Sequence, residues 1–330
     1  MTDKETVTTP DIEQLIQRLQ PQLDALEQER QALRRRALRW AMVIMVLALA
    51  AAVAAGAAMA SVAGPHGASV GIVPLVFGVV LLIRLAYSSQ RRWRDQVAAL
   101  LLPEISAELV GETEYQAQID RIFVKPYTEL KLIGAWRAGE VKHLLRGKYL
   151  GRQFEMAHAN LRAGGNDSGD SAVFKGLLLR IQLNDNIEPG LSIRPNGGWW
   201  SRAFGKQSIP TGNKEFDSVF LVGTDNNNSS GAEAISRIFT SEWQRFLLDL
   251  HGKLGNMPFR DEARISAGMK YDAFYLTVSL VERGRMRTLR ERPFPDVSHV
   301  LAAESGLKNH LPKLIREVGL LPLVINRLPD

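Results

Sequence analysis

Cysteine is absent from the 330 residues, which excludes disulfides, thiol catalysis and cysteine-ligated metals. Catalytic signatures are missing too. The six histidines, His66, His143, His158, His251, His299 and His310, form no H-E-x-x-H or comparable pairing. There is no G-x-S-x-G, no P-loop and no G-x-G-x-x-G. Gly197-Gly198 lacks the strand-to-helix context of a phosphate cradle. Asp225 with Asn226–Asn228 lacks the spacing and the closing Glu of a calcium loop. No catalytic, cofactor-binding or metal-ligating residue is therefore assigned, and the chain reads as an interaction protein more than an enzyme. Excess charge of one sign is also scarce. The 41 basic and 35 acidic residues give +6, and +6 less the eight arginines that flank the apolar segments described next is −2. That balance is no electrostatic footprint for nucleic acid.

What the chain does have is two apolar segments back to back, Ala41–Ala63 and Val70–Tyr87, separated by Gly64–Ser69. The first carries no charge and the second only Arg84. A hydrocarbon core takes roughly 20 apolar residues to cross as a helix, so the pair is expected to form a two-helix transmembrane hairpin over residues 40–87. Arg34, Arg35, Arg36 and Arg39 precede it, Arg84, Arg91, Arg92 and Arg94 follow it, and the turn has no Lys or Arg. Cytoplasmic flanks collect such residues, which predicts a multi-pass protein of a bacterial inner membrane with both termini cytoplasmic. Trp40, Tyr87 and Trp93 sit where interfacial aromatics belong. A hairpin buried in a protein core, or a re-entrant second segment broken at Pro74, are the competing expectations.

Before the hairpin, residues 1–39 read as a helix from Asp11. Ile12, Leu19, Leu26 and Leu33 recur every seven residues, with Ile16 and Leu23 widening the stripe and Pro21 interrupting it. Two readings stay open: a self-association or partner helix, and an amphipathic helix lying on its own domain or on a membrane surface. After the hairpin, residues 88–150 read as a helical connector. It comprises a helix over about 90–110 that breaks near Pro103, a second over Glu112–Phe123, and shorter pieces around Gly134, Gly139 and Gly147.

From Gly151 the period becomes that of strands. Gly151–Leu161, Ala172–Leu183, Gly190–Arg194 and Phe216–Gly223 are expected strands. A helix follows with a capping box at Ser230 and Glu233 and an apolar stripe Ile235, Ile238, Phe239, Trp243, Phe246, Leu247, Leu250, Leu254, ended by Gly255. Two strands, Phe259–Ser266 and Tyr271–Val281, are hinged at Ala267–Lys270, and a last helix spans about Ser298–Val318. Neighbouring strands are joined too closely for crossover helices, so the pairing is mostly antiparallel. The class is α+β: an N-terminal amphipathic or coiled-coil helix, a transmembrane hairpin, and a cytosolic sheet packed with helices over 151–330.

Within that last region, Phe174-Lys175-Gly176 opens an apolar strand. Glu215-Phe216 with Phe220 and Val222 runs into Thr224-Asp225, then come the helix Ala232–Leu254 and the aromatic-rich strand Tyr271–Val281. With the charged N-terminal helix and the paired apolar segments, these landmarks resemble the bacterial integral membrane family catalogued as domain of unknown function 3137, over most of residues 10–285. The resemblance implies the topology and no catalytic residue.

Two clusters are candidate interaction sites. Trp199, Trp200 and Arg202, with Phe204 and Lys206, combine aromatic and basic groups in one loop, a mixture suited to a protein hot spot or to interfacial insertion; a loop folded back over both indoles is the alternative. Arg283, Arg285, Arg287 and Arg290, with Arg292, could grip anionic headgroups or other phosphates, or pair with Glu282 and Glu291 in a solvated loop. The expected function is a membrane-anchored cytosolic module that binds a protein partner or lipid headgroups, with self-association through the N-terminal helix and no cofactor. A membrane-bound enzyme acting on a lipid or envelope precursor, and a ligand sensor, are the alternatives.

Overall fold

A computed structural model describes residues 12–63, 76, 98–163, 172–196, 208–224, 239–255, 264–279 and 311–328. The chain divides into two compact units, one holding 11–97 with 300–312 and the other 98–299 with 313–330 and the first ten residues.

In the first unit, α1 runs without a break from Ile12 to Ala63, 52 residues, with Pro21 inside it. Among the described residues no helix is long and apolar enough to cross a membrane. That finding overturns the expected transmembrane hairpin, and with it the multi-pass inner-membrane placement with both termini cytoplasmic. The first expected span is the C-terminal part of a helix whose earlier turns carry Gln, Asp, Glu and Arg. Eleven of the 23 residues Ala41–Ala63 are alanine, which favours helix strongly. The second expected span lies outside the described residues except for Val76.

The second unit is built on an antiparallel sheet of six strands, in keeping with the mixed helical and antiparallel class. The helix 98–110 (α2) leads in and passes through Pro103 without the expected break. β1 (Thr113–Gln118) follows, then a 3₁₀ turn (Arg121–Val124) and α3 (Lys125–Glu129). β2 (Ala138–Tyr149) and β3 (Arg152–Arg162) form a hairpin, and β4 (Ala172–Pro195) returns beside β3. A short α4 (Lys214–Val219) leads into β5 (Phe220–Thr224). Then come α5 (Ser241–Gly255), β6 (Arg264–Ser279), α6 (Leu311–Val318) and α7 (Leu320–Ile325).

β4 is the axis of the sheet. β6 pairs along its length on one edge, from Gly176↔Ser279 to Ile193↔Ala267. β3 and β5 share the other edge, β3 beside its first half and β5 beside Leu191–Pro195. The two strands expected at Ala172–Leu183 and Gly190–Arg194 are thus one strand, and so are the described parts of the two expected around Ala267–Lys270. Register shifts between Gln182 and Leu191 absorb the irregularity that the sequence shows there.

Both faces are covered, which explains why Met156 and Ala157 of β3 and Leu177, Leu178 and Leu179 of β4 are apolar and buried in succession rather than at alternate positions. On one face, Val124, Tyr127, Leu130, Leu132 and Ile133 from the segment after β1 pack on Leu144, Ala157, Ala159, Leu161, Leu178 and Tyr275. On the other, Trp243 of α5 meets Phe274 edge-on at 5.2 Å between ring centroids, and α6 sets Glu317 against His158 of β3. The α5 stripe is buried as its periodicity predicts at Phe239, Trp243, Phe246, Leu247 and Leu250. Its first turn is capped by Thr240, whose hydroxyl accepts from Trp243 N–H at 3.3 Å. The expected capping box at Ser230 and Glu233 lies outside the described residues.

Candidate functional site

The residues chosen from the sequence as interaction sites, Trp199, Trp200, Arg202, Arg283, Arg285, Arg287 and Arg290, lie outside the described residues, as do Arg84, Arg91, Arg92 and Arg94. Of the arginines before the apolar run, Arg35, Arg36 and Arg39 are exposed on α1. Arg35 Nε donates to the carbonyl of Gln31 one turn back, at 3.3 Å.

The surface that follows those arginines is the first candidate. Trp40, Met42, Val43, Met45, Val46, Leu47, Leu49 and Val53 are all exposed, with Trp40 and Val53 about two-thirds so. Eight large apolar side chains within fourteen positions of one helix make a patch of a kind that marks an interaction site. Earlier on the same helix, Leu19 of the heptad stripe is buried within the chain itself and Leu26 is half-buried. This exposed apolar surface therefore lies on the later part of α1, from Trp40 to Val53, and not at Leu19 or Leu26.

The second candidate is a row of charge running straight across the sheet. Glu114, Arg146, Glu155, Arg180 and Tyr275 pair in register from β1 through β2, β3 and β4 to β6. Glu155 is the hinge of the row: its Oε1 accepts from Arg146 Nε at 2.9 Å and its Oε2 from Arg180 Nη1 at 3.0 Å. Tyr275 ends the row and meets Tyr127 edge-on at 5.2 Å. Burial pushes the Tyr127 hydroxyl well above a tyrosine's ordinary value, with Tyr275 and Glu155 adding to it. Tyr275 is raised as well, by burial first, while Arg180 pulls it down. Further along β4, burial lowers the Arg194 guanidinium to about 10. Gly223 makes room for it; a Cβ there would stand 3.0 Å from Arg194 Nη2.

The third is a track of polar groups on the opposite face. Tyr115 of β1 hydrogen-bonds His143 Nδ1 of β2 at 2.8 Å, and the two rings stack. His143 meets His158 of β3 edge-on at 5.9 Å, and His158 Nε2 lies 3.7 Å from Glu317 Oε2 on α6. His143, His158 and Glu317 are all buried. His143 reaches this position because the β2–β3 ladder is irregular between Lys142 and Leu145 and its own φ is +56°, a left-handed conformation rare outside glycine. His143 and His158 appeared in the sequence only as two of six scattered histidines, Tyr115 only within an expected helix over Glu112–Phe123, and Glu317 in no motif. Spacing could not find them, since the sheet joins positions as far apart as 115 and 317.

No family model matches the sequence, and no curated protein matches it. Among solved structures, the crystal structure of the mycobacterial trehalose monomycolate transport factor A, TtfA, is similar to 66% of this chain and 89% of that chain at 10% identity, with a TM-score of 0.27. A likeness of that size carries no argument about fold or function.

No group of three or more His, Cys, Asp or Glu could hold a metal ion among the described residues. A shallow cavity of about 350 Å³ lies between α5 and α7, floored by Phe246, Leu250 and Leu323 and rimmed by Glu242, Arg245, Asp249 and Arg327. Glu242 and Arg327 face each other there at 3.8 Å.

Proposed function

We propose that this protein is a self-associating interaction module, in which the apolar stretch Met42–Val53 of α1 buries against the same stretch of a second copy. The exposure of those side chains carries the reading. At about 1.5 Å per residue, α1 is roughly 78 Å long, long enough for two copies to lie side by side over several turns. A two-fold pair of identical helices is self-complementary by symmetry. The alanines between the large side chains let the backbones approach closely. The α+β unit is then what the assembly displays. Affinity with the domain of unknown function 3137 family belongs to the same reading; it is supported by Phe174–Gly176, Glu215-Phe216 and the aromatic strand within Tyr271–Val281.

Light scattering of the full chain in mild non-ionic detergent tests this. A dimer or higher oligomer is expected, shifted to monomer by Val43→Glu with Val46→Glu. A wild-type chain that stays monomeric overturns the reading. So does a chain that floats with phospholipid vesicles while remaining monomeric, because the apolar stretch would then serve lipid.

A further inference from the structure

We propose that the cavity between α5 and α7 binds a free amino acid with a branched or aromatic apolar side chain, held as its zwitterion. Every residue that lines it lies in the sheet unit, within 98–299 and 313–330, so binding there is independent of association through α1.

Shape sets the size and polarity of the occupant. About 350 Å³ of space lies between the two helices, near the lower end of the range that small-molecule sites occupy. The floor is apolar. Phe246 and Leu250, one turn apart on α5, are buried, while Leu323 of α7 is exposed. That floor is firmly backed: Phe246 meets Trp243 edge-on at 5.9 Å, and Trp243 packs in turn on Phe274 of β6. A supported apolar floor with one side chain left open to water favours a small apolar group that covers it.

The rim sets the charge. It offers two cations, Arg245 and Arg327, and two anions, Glu242 and Asp249. A purely anionic ligand would meet both carboxylates, and a purely cationic one both guanidinium groups. A zwitterion finds an opposite charge for each of its own. Arg245 and Asp249 stand at i and i+4 on α5, which places their Cβ atoms about 5–6 Å apart. Both are exposed, and among the described residues no ion pair joins them. An amino acid carries its carboxylate and its ammonium on one carbon, so both reach this pair from one position above the floor. Arg245 takes the carboxylate through its planar fork, Asp249 takes the ammonium, and the side chain covers Leu323. Across the cavity Glu242 and Arg327 stand 3.8 Å apart with more than half of each side chain exposed, an ion pair weak enough to open for a ligand.

Saturation-transfer NMR of the full chain with four probes tests the site. L-leucine should bind saturably, with a Kd of about 1 mM or tighter. Glycine, N-acetyl-L-leucine and L-leucinamide lack in turn the apolar side chain, the ammonium and the carboxylate, and each should bind at least tenfold more weakly. Arg245→Gln and Asp249→Asn change exposed groups, so both variants should unfold at the wild-type temperature while losing tenfold or more in affinity for L-leucine. The site is overturned if L-leucine shows no saturable binding, if any of the three analogues binds as tightly as L-leucine, or if both variants keep the wild-type affinity. Should a variant not fold, the four probes on the wild-type chain still decide.

Discussion

Glu155 on β3 and Arg180 on β4 face each other in register at 3.0 Å, and the other oxygen of the same carboxylate is held by Arg146 of β2. One half-buried carboxylate thus stitches three strands together, between two arginines that are each about half exposed. The asymmetry predicts unequal costs. Arg146→Ala removes one exposed partner and should cost at most about 1 kcal/mol. Glu155→Ala leaves two guanidinium groups facing each other over a largely covered sheet, and should cost about 2 kcal/mol, between the surface and buried limits. Urea unfolding of the two variants checks the order. Equal costs would mean that the row is solvated ornament.

A tyrosine beside that row gives a prediction of opposite sign. Tyr127 is fully buried, and its hydroxyl finds no hydrogen-bond partner among the described residues. Removing the oxygen while keeping the ring loses no bond and ends a desolvation cost, so Tyr127→Phe should be neutral or stabilising by up to about 1 kcal/mol. The pH dependence follows from the raised Tyr127 hydroxyl. Its folded value lies above the unfolded one, so the folded state keeps the proton longer. That contribution is fully present below about pH 10 and is lost as pH rises beyond it. Tyr127→Phe should accordingly soften the alkaline fall in stability. Unfolding midpoints at pH 8 and pH 11 would reveal a dependence equal to wild type if Tyr127 were not its source.

Legibility followed the strength of local patterns. The first half of β4 announced itself, because Leu177, Leu178 and Leu179 are apolar in succession and buried on both faces of the sheet. α5 was readable from Phe239 to Leu250 because one helical stripe faces the sheet. β1 was misread: Tyr115, Ile119, Ile122 and Phe123 mimic helical spacing, yet Thr113–Gln118 is an edge strand with alternating exposure. The segment 138–149 was misread for a related reason, since the Gly139 and Gly147 taken as turn signals serve close strand packing. A Cβ at Gly139 would come within 2.4 Å of the Asn160 carbonyl. Phe216, expected in a strand, sits in α4 because Asn213 caps that helix, accepting from Glu215 and Phe216 N–H. The transmembrane expectation failed for a different reason: an apolar run was read as a span of its own, whereas it is the later part of α1, which has a polar beginning. The His143–His158–Glu317 track left no local trace, being assembled by strand register and by a bulge that no spacing rule detects.

One glycine tests whether that register is as tight as the pairing implies. Gly176 sits on β4 between Ala159 of β3 and Ser279 of β6. A Cβ added there would stand 1.9 Å from the backbone carbonyl oxygen of Val278 and 2.9 Å from its carbon. Backbone cannot swing aside as a side-chain tip can, so the strands must part locally and ladder bonds must lengthen. Gly176→Ala should therefore cost about 2–4 kcal/mol, despite the smallness of the change and alanine's lower conformational entropy cost. Gly151 is the internal comparison: it has φ +82° but open space around the added atom, so Gly151→Ala should cost only about 1 kcal/mol, from backbone strain alone. Thermal unfolding of both variants separates close approach from conformational strain. A Gly176→Ala variant as stable as Gly151→Ala would show that β4 and β6 do not hold the tight pairing at Gly176↔Ser279.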